Sequence, residues 1–163
     1  MDVLGVDIGG VIIGTVNYQT DTSFRSINYL ETAATPQVFE SLYLLNQHKF
    51  GDNMFVVSYS GQATQDKSLA WLAHHRFYER TGIALERVRF CRKRSDKAII
   101  AREVGITHFI DDKLEVLSYL SAVPHRYLYR PIPREIRRYE QHLPAVRMFN
   151  DWPLLAQYII TGA

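Results

Sequence analysis

Short apolar runs alternate with amphipathic segments along most of the chain. Runs such as VLGV, MFVV and HFI have the length and composition of buried strands, whereas the segments between them repeat apolar residues every three or four positions, as helices do. This alternation predicts an α/β fold built on a parallel sheet. The expected strands are 2–8, 53–60, 87–91, 107–112, 125–130 and 146–149.

Helix boundaries are indicated by capping residues and glycines. Thr35 and Ser95 are expected to cap two helices at their N-termini, and Gly82 and Gly105 follow two C-termini. Helices on both faces of the sheet would give a three-layer, Rossmann-like arrangement. The expected helical segments are 35–51, 62–82, 95–105, 112–123 and 151–160.

The polar segment at about 14–35 interrupts this pattern directly after the first strand. It is predicted to be a β-hairpin or flap with a turn near Thr20–Asp21–Thr22. Its aromatic residues Tyr18, Phe24 and Tyr29 can either pack into the core or stack on a ligand. No segment is long enough for a large cap domain, so residues 1–163 are predicted to form one domain with an open site.

The composition is that of an ordinary water-soluble globular protein. The 163 residues are 47% hydrophobic and 22% charged, and no apolar stretch approaches the ~20 residues of a membrane span. No basic region precedes the first apolar run, which argues against a signal peptide. Cys91 is the only cysteine, which excludes a disulfide framework and favours a cytoplasmic location.

Positive charge is concentrated in two stretches although the net charge is only +2. These stretches are residues 87–97 and 125–138. They are compatible with a solvated basic face and also with an anionic substrate, including nucleotides. The sequence leaves both interpretations open.

Chemically active side chains stand where the predicted strands end. Asp7, Ser58 and the pair Asp111–Asp112 each end an apolar strand, and Lys97 lies in the first turn of a helix. Each has an ordinary role as a turn, cap or surface residue when taken alone. In a doubly wound sheet, however, ligands bind beyond the carboxyl ends of the strands. Converging carboxylates suit Mg²⁺, and a hydroxyl with an ammonium suits phosphate, so the set predicts a phosphoryl-transfer site.

The same motifs resemble those of the haloacid dehalogenase (HAD) superfamily. They are VLGVD ending at Asp7, MFVVS ending at Ser58, SDK with Lys97, and HFIDD with Asp111 and Asp112. The resemblance spans residue 2 to about residue 120. Within the superfamily, the chain is most similar to small phosphatases such as the deoxyribonucleotidase-like proteins.

This resemblance implies a phosphohydrolase that passes through an aspartyl-phosphate. Asp7 would be the nucleophile. Ser58 and Tyr59 would bind the phosphate, and Lys97 would bridge the phosphate and Asp7. The implied substrate is a small phosphorylated molecule, with nucleotides among the candidates.

The implied cofactor is Mg²⁺. Its expected ligands are Asp7, the main-chain carbonyl of Gly9 and Asp111, with Asp112 assisting directly or through water. The metal would offset repulsion between the anionic nucleophile and the anionic substrate.

Gly9 departs from the family pattern, because active phosphatases of this superfamily usually have a second aspartate there. That aspartate protonates the leaving group, a contribution typically worth ~10²–10⁴-fold. Three outcomes stay open: a phosphatase with a substitute acid, an enzyme for activated phosphates, and a phosphate- or nucleotide-binding module with impaired catalysis.

Other families fit the sequence less well. GVDIGG also resembles the phosphate-binding start of actin- and hexokinase-type sugar kinases, but those need two such domains. No G-x-G-x-x-G follows the first strand, as a dinucleotide-binding domain requires. The sequence is compatible with a homo-oligomer and predicts no membrane association.

Overall fold

The computed structural model describes residues 1–14 and 24–163. Its described strands form one six-stranded sheet in which every pairing is parallel, as predicted. Each strand lies within its predicted segment. The strands are β1 Leu4–Val6, β2 Met54–Tyr59, β3 Val88–Cys91, β4 His108–Asp111, β5 His125–Tyr129 and β6 Arg147–Phe149.

The strand order places the start of the chain in the middle of the sheet. The order is β3-β2-β1-β4-β5-β6, so the direction of winding reverses between β1 and β4. Ligands of doubly wound folds bind beyond the carboxyl ends of the strands at such a reversal. Val6 pairs with Ile110 there, and therefore Asp7 and Asp111 emerge side by side.

Helices cover both faces of the sheet, which confirms the predicted three layers. One face packs against apolar residues of α1, α2, α3 and α7, and the other packs against α4 and α5. The helices are α1 Val38–Leu45, α2 Gln62–His74, α3 Phe77–Thr81, α4 Lys97–Val104, α5 Leu114–Tyr119, α6 Pro133–Arg138 and α7 Trp152–Thr161.

The predicted cap at Thr35 is wrong. The Thr35 hydroxyl donates to the carbonyl of Val11, at 2.6 Å, and α1 has no side-chain cap hydrogen bond. Gln37 adopts a left-handed conformation with φ of 63°, and α1 begins only at Val38. The side chain thus ties the helix to the turn that follows β1.

The predicted helix over 62–82 is two helices. α2 ends at His74, and Arg76 has a positive φ of 56° that no helix continues through. The ring of His75 stacks on Trp71 and its Nε2 lies 2.6 Å from the carbonyl oxygen of Leu30, which anchors the break against the segment after β1. Gly82 does follow α3 with a left-handed φ of 84°.

Two further differences concern the ends of α4 and the region after β5. Ser95 is not a side-chain cap: it lies in the 3₁₀ turn Arg94–Asp96 that leads into α4. Gly105 ends α4 in the left-handed conformation, as predicted. α6 was not predicted, because PREIRR carries too few apolar positions to indicate a helix.

The segment after β1 is described only in part. Its base is closed by an antiparallel bridge between Ile13 and Ala34, and its second half contains the 3₁₀ turn Tyr29–Glu31. The predicted turn at Thr20–Asp21–Thr22 and the aromatic Tyr18 lie outside the described residues. None of the described helices is both long and apolar enough to span a membrane.

Candidate active site

Asp7 and Asp111 lie side by side at the carboxyl edge of the sheet. Asp7 directly follows β1 and Asp111 ends β4, and the amide of Asp7 donates to the Ile110 carbonyl at 3.0 Å. Both residues are buried, with exposed fractions of 8% and 0%. Two carboxylates in this position need a cation between or beside them.

Lys97 supplies the positive charge. Its Nζ lies 3.0 Å from Asp7 Oδ1 and 2.8 Å from Asp111 Oδ2, and the residue is only 2% exposed. It is the first residue of α4, which packs over β2, and its long side chain reaches back to the sheet edge at Asp7 and Asp111. A buried ammonium without partners would be strongly destabilising, and here two carboxylates compensate it.

Close packing of a neighbouring strand supports this arrangement. The ring of Phe109 lies 5.7 Å from Lys97 Nζ and against the backbone of Gly5 in β1. A Cβ at Gly5 would come within 2.7 Å of that ring. Glycine at this position therefore lets Phe109 pack against the sheet beneath the lysine.

The charges alter one another's protonation. Burial alone would lower the pKa of Lys97, but the Asp111 and Asp7 carboxylates outweigh it and raise the pKa above its ordinary value. Burial, followed by repulsion from Asp7, raises the pKa of Asp111 to about 6 despite Lys97. The lysine is therefore charged at neutral pH, and one ammonium does not neutralise the cluster fully.

Asp111 and Asp112 have different surroundings. Both oxygens of Asp111 are engaged, Oδ2 by Lys97 and Oδ1 by the amide of Lys113 at 3.0 Å. The Oδ1 atom of Asp112, in contrast, is buried and has no hydrogen-bond partner among the described residues. Burial and then the charges of Asp7 and Asp111 raise the pKa of Asp112 well above its usual range.

These three acids suit a hard divalent cation. Ligand oxygens of Asp7, Asp111 and Asp112 lie within 4.8 Å of one another, and the set contains oxygen donors only. Mg²⁺ prefers such donors. The orphaned Asp112 oxygen is the feature that a cation would satisfy, so the residues present fit the predicted cofactor.

Gly9 lies two residues after Asp7, in a turn that does not require glycine at that position. Its φ is not positive, and a Cβ built on it meets no atom of residues 1–14 or 24–163 within 4 Å. The neighbouring Gly10 does need its freedom, since its φ is 79°. The turn is held by Thr35 and by the indole of Trp152, which donates to the Val11 carbonyl at 3.0 Å.

The end of β2 borders the acids. Ser58 is 6% exposed, and Tyr59, the last residue of the strand, is 45% exposed. The next residue, Ser60, was not singled out in the sequence, yet its Oγ is buried without a partner among the described residues. Three consecutive hydroxyl-bearing residues thus stand at this edge.

The basic stretch 87–97 is partly structural. Arg92 donates to the carbonyl of Ser60 at 2.8 Å and to the side chains of Gln62 and Gln65. Arg94 pairs with Glu115 at 3.0 Å. These two arginines therefore hold the loops around the site and do not form a simple solvated face.

Glu135 is a second residue that the sequence pattern did not indicate. Its carboxylate accepts the amides of Leu114 and Glu115 at 3.0 and 2.8 Å, at the start of α5 just after the acid pair. No sequence signal marks this contact, because it comes from the unpredicted α6.

The described aromatics of the segment after β1 pack on α2. Phe24 and Tyr29 meet edge to face at 5.7 Å, and Lys67 Nζ lies 4.9 Å from the Tyr29 ring centroid. Of the two roles left open, packing is therefore the one that the structure supports for these two rings.

Several solved structures share this architecture, although no family model and no curated protein matches the sequence. A haloacid dehalogenase-like hydrolase from Burkholderia xenovorans LB400 has a TM-score of 0.55 and 16% identity over 79% of this chain. The match covers 60% of that protein, so this chain spans well under its full length.

A HAD family hydrolase from Deinococcus radiodurans R1, solved with bound phosphate and sodium, has a TM-score of 0.62 and 12% identity. That match covers 98% of this chain and 96% of the other. At these identities the likeness concerns the fold, and it does not extend to the deoxyribonucleotidase-like branch. The chain has the HAD-like fold that its strand-end motifs predicted.

Proposed function

We propose that this chain is a Mg²⁺-dependent phosphohydrolase that acts through an aspartyl-phosphate at Asp7. The observation that carries the proposal is the buried Lys97 bridging Asp7 and Asp111, beside an Asp112 oxygen that has no partner in the described part of the chain. A cluster with this excess of buried negative charge is costly for stability. Such cost is typical of functional sites.

The metal would be held by Asp7, Asp112 and the main-chain carbonyl of Gly9. Asp111 was expected to be the principal acidic ligand, but Lys97 and the amide of Lys113 already engage its oxygens. We therefore assign to Asp111 the positioning of Lys97, and to Asp112 the direct contact. When bound, Mg²⁺ would neutralise phosphate charge and align the phosphate with the nucleophile.

The protein's own residues account for the remaining steps. Lys97 orients the Asp7 carboxylate and, being charged, faces the incoming phosphate oxygens. Ser58 and the backbone at Tyr59 bind those oxygens. Asp7 then bonds to phosphorus as the bond to the leaving oxygen breaks, and water later cleaves the acyl phosphate to release phosphate and restore Asp7.

Gly9 limits which leaving groups are expelled. No side chain at this position can protonate the departing oxygen, so alkyl esters should react poorly. Acyl phosphates and aryl phosphates leave as stable anions and need little protonation. The proposed substrates are therefore small activated phosphates; a cytoplasmic setting fits the single, buried Cys91.

The test is hydrolysis of acetyl phosphate and 4-nitrophenyl phosphate, with Mg²⁺ or with chelator. Wild type is compared with Asp7→Asn and with the control Asp52→Asn, the same change at an exposed aspartate. Turnover that requires Mg²⁺, survives in the control and disappears in Asp7→Asn supports the proposal. Equal turnover by Asp7→Asn and wild type rejects it.

A second candidate, a binding module, is favoured by the absence of an acid at position 9. It predicts that Mg²⁺ and phosphate together raise the melting temperature without turnover of either substrate. Thermal melts with and without both ligands distinguish it from the enzyme.

A further inference from the structure

The exposed ring of Tyr59 is the feature of this site that phosphate chemistry alone does not use. We propose that Tyr59, supported by Arg94, binds a planar aromatic leaving group, and that the substrates are phosphate esters of aryl or heteroaryl alcohols. This inference rests on the proposed function and narrows its substrate class.

Tyr59 lies on the path by which a leaving group would exit. Val6 pairs with Val56, so Val57 is level with Asp7 and Tyr59 is two residues further toward the carboxyl edge. At about 3.3 Å per residue, Tyr59 begins ~7 Å beyond the nucleophile. Residues two apart in a strand share a face, so the tyrosine projects on the side of the sheet that Asp7 shares with α4.

The ring is both exposed and held in place. Tyr59 is 45% exposed, and the guanidinium carbon of Arg94 lies 5.4 Å from its ring centroid. The ion pair of Arg94 with Glu115 fixes that guanidinium, and Glu135 fixes the backbone of Glu115 in turn. An aromatic ligand would meet a positioned ring next to a positive charge, an arrangement that favours stacking.

The chemistry of Gly9 selects the same class independently. In an in-line displacement, Asp7 bonds to phosphorus from one side while the bond to the leaving oxygen breaks on the other, and that oxygen keeps the electron pair. Without a proton donor at Gly9, the product must be stable as an anion. An aryl oxide meets this requirement, and it departs outward past Tyr59, where Arg94 carries a positive charge.

The first test compares two substrates that both leave as anions but differ in having a ring. The ratio of kcat/KM for 4-nitrophenyl phosphate to that for acetyl phosphate is measured in wild type, Tyr59→Phe and Tyr59→Ser. We expect Tyr59→Ser to lower the ratio by about tenfold, mainly through KM, as befits the loss of one aromatic contact. Tyr59→Phe keeps the ratio. The matched control is Tyr43→Ser on α1, because Tyr43 is also a half-exposed tyrosine, at 47%.

The second test needs no turnover. Binding of phenylphosphonate and methylphosphonate, neither of which is hydrolysed, is measured by calorimetry in the presence of Mg²⁺. Wild type should prefer the phenyl compound by about tenfold, and Tyr59→Ser should lose this preference. An unchanged preference in Tyr59→Ser, or an unchanged substrate ratio, overturns the inference. Failure of the proposed function has a different signature, namely turnover that persists in Asp7→Asn.

Discussion

Buried ionisable groups are charged at the edge of the sheet where the strands have their carboxyl ends, and neutral at the edge where the strands have their amino ends. At the carboxyl edge, Lys97 and the acids near it are buried as charges that compensate one another in part. At the amino edge, His108 is 5% exposed, stacks on His125 at 4.3 Å and meets Phe50 edge to face at 5.2 Å. Burial, and then His125, lower the pKa of His108 to about 4, so this ring is buried neutral.

The amino edge also borders a cavity. A cavity of about 320 Å³ lies where β5 and β6 begin, lined by residues that include His125, Tyr127 and Arg147. Burial raises the pKa of Tyr127 to about 12, so this phenol is neutral as well. A cavity alone does not identify a reactive site, whereas several buried acids around one lysine are typical of functional sites.

Removing the central charge should produce the largest effect. Lys97→Met would leave two buried carboxylates without their cation, and the free energy of unfolding should fall by about 3–5 kcal/mol. The control at the other edge is Lys49→Met, which breaks the more exposed pair with Asp2 and should cost under about 1 kcal/mol. Urea denaturation of both variants measures the contrast.

Equal losses of stability in the two lysine variants would show that the acids at the carboxyl edge do not need the charge of Lys97. If Lys97→Met does not fold, the double variant Lys97→Met/Asp7→Asn is measured in its place, because it removes one of the two uncompensated carboxylate charges. It should recover part of the lost stability.

Adding an acid at the carboxyl edge should produce the next largest effect, this time on activity. In Gly9→Asp the new Cβ meets none of the described residues within 4 Å, and the backbone there has no positive φ to strain it. If it acts as proton donor, kcat/KM for an alkyl phosphate should rise by up to about 10²-fold, with little change for an aryl phosphate. The control is Gly61→Asp, which adds the same charge at another open glycine.

A similar gain from Gly61→Asp would attribute the effect to charge and not to proton donation. No gain from Gly9→Asp on any ester would mean that the departing oxygen does not pass position 9.

The convergence of the reactive side chains could be predicted because it follows from chain geometry. Parallel strands end at one edge, so Asp7, Ser58 and Asp111 had to approach each other once the strands were assigned. Lys97 begins the helix that follows β3 after a short connection, and its side chain reaches the same edge. Local sequence pattern was sufficient for each of these steps.

What could not be predicted depends on tertiary contacts. Arg76 breaks a helical pattern through a positive φ that arginine rarely adopts. Glu135 contacts α5 across the fold, and nothing in its own segment indicates a site. The different surroundings of Asp111 and Asp112 depend on which of the two carboxylates contacts Lys97. Two adjacent aspartates look the same in the sequence, so this could not be predicted.

The neutral histidine predicts how the amino edge responds to acid. The pKa of His108 in the folded protein, about 4, lies below the ordinary value of 6.5, so protonation favours unfolding. Its stabilisation is complete above pH 6.5 and is lost as the pH falls toward 4, by about 2 kcal/mol. Denaturant unfolding measures the free energy of unfolding of wild type and His108→Phe at several pH values. As the pH falls, wild type should lose stability relative to the variant. A constant difference would contradict this. The control His125→Phe replaces the stacked partner but keeps His108, so it should retain the loss of stability in acid.

The smallest expected effect is also the most specific to function, and it concerns Asp112. Its Oδ1 lacks a partner among the described residues, and Asp7 and Asp111 repel its charge, so the wild-type residue destabilises the metal-free protein. Asp112→Asn should therefore raise the free energy of unfolding by about 1 kcal/mol without Mg²⁺, and should abolish the stabilisation that Mg²⁺ gives to wild type. Thermal melts with Mg²⁺ and with chelator measure both, with Asp52→Asn as the exposed control. A loss of stability without metal would mean that Asp112 has a structural partner, and a retained Mg²⁺ response would return the ligand role to Asp111. Opposite signs in the two conditions are expected only if the carboxyl edge tolerates an unfavourable charge in order to bind a cation.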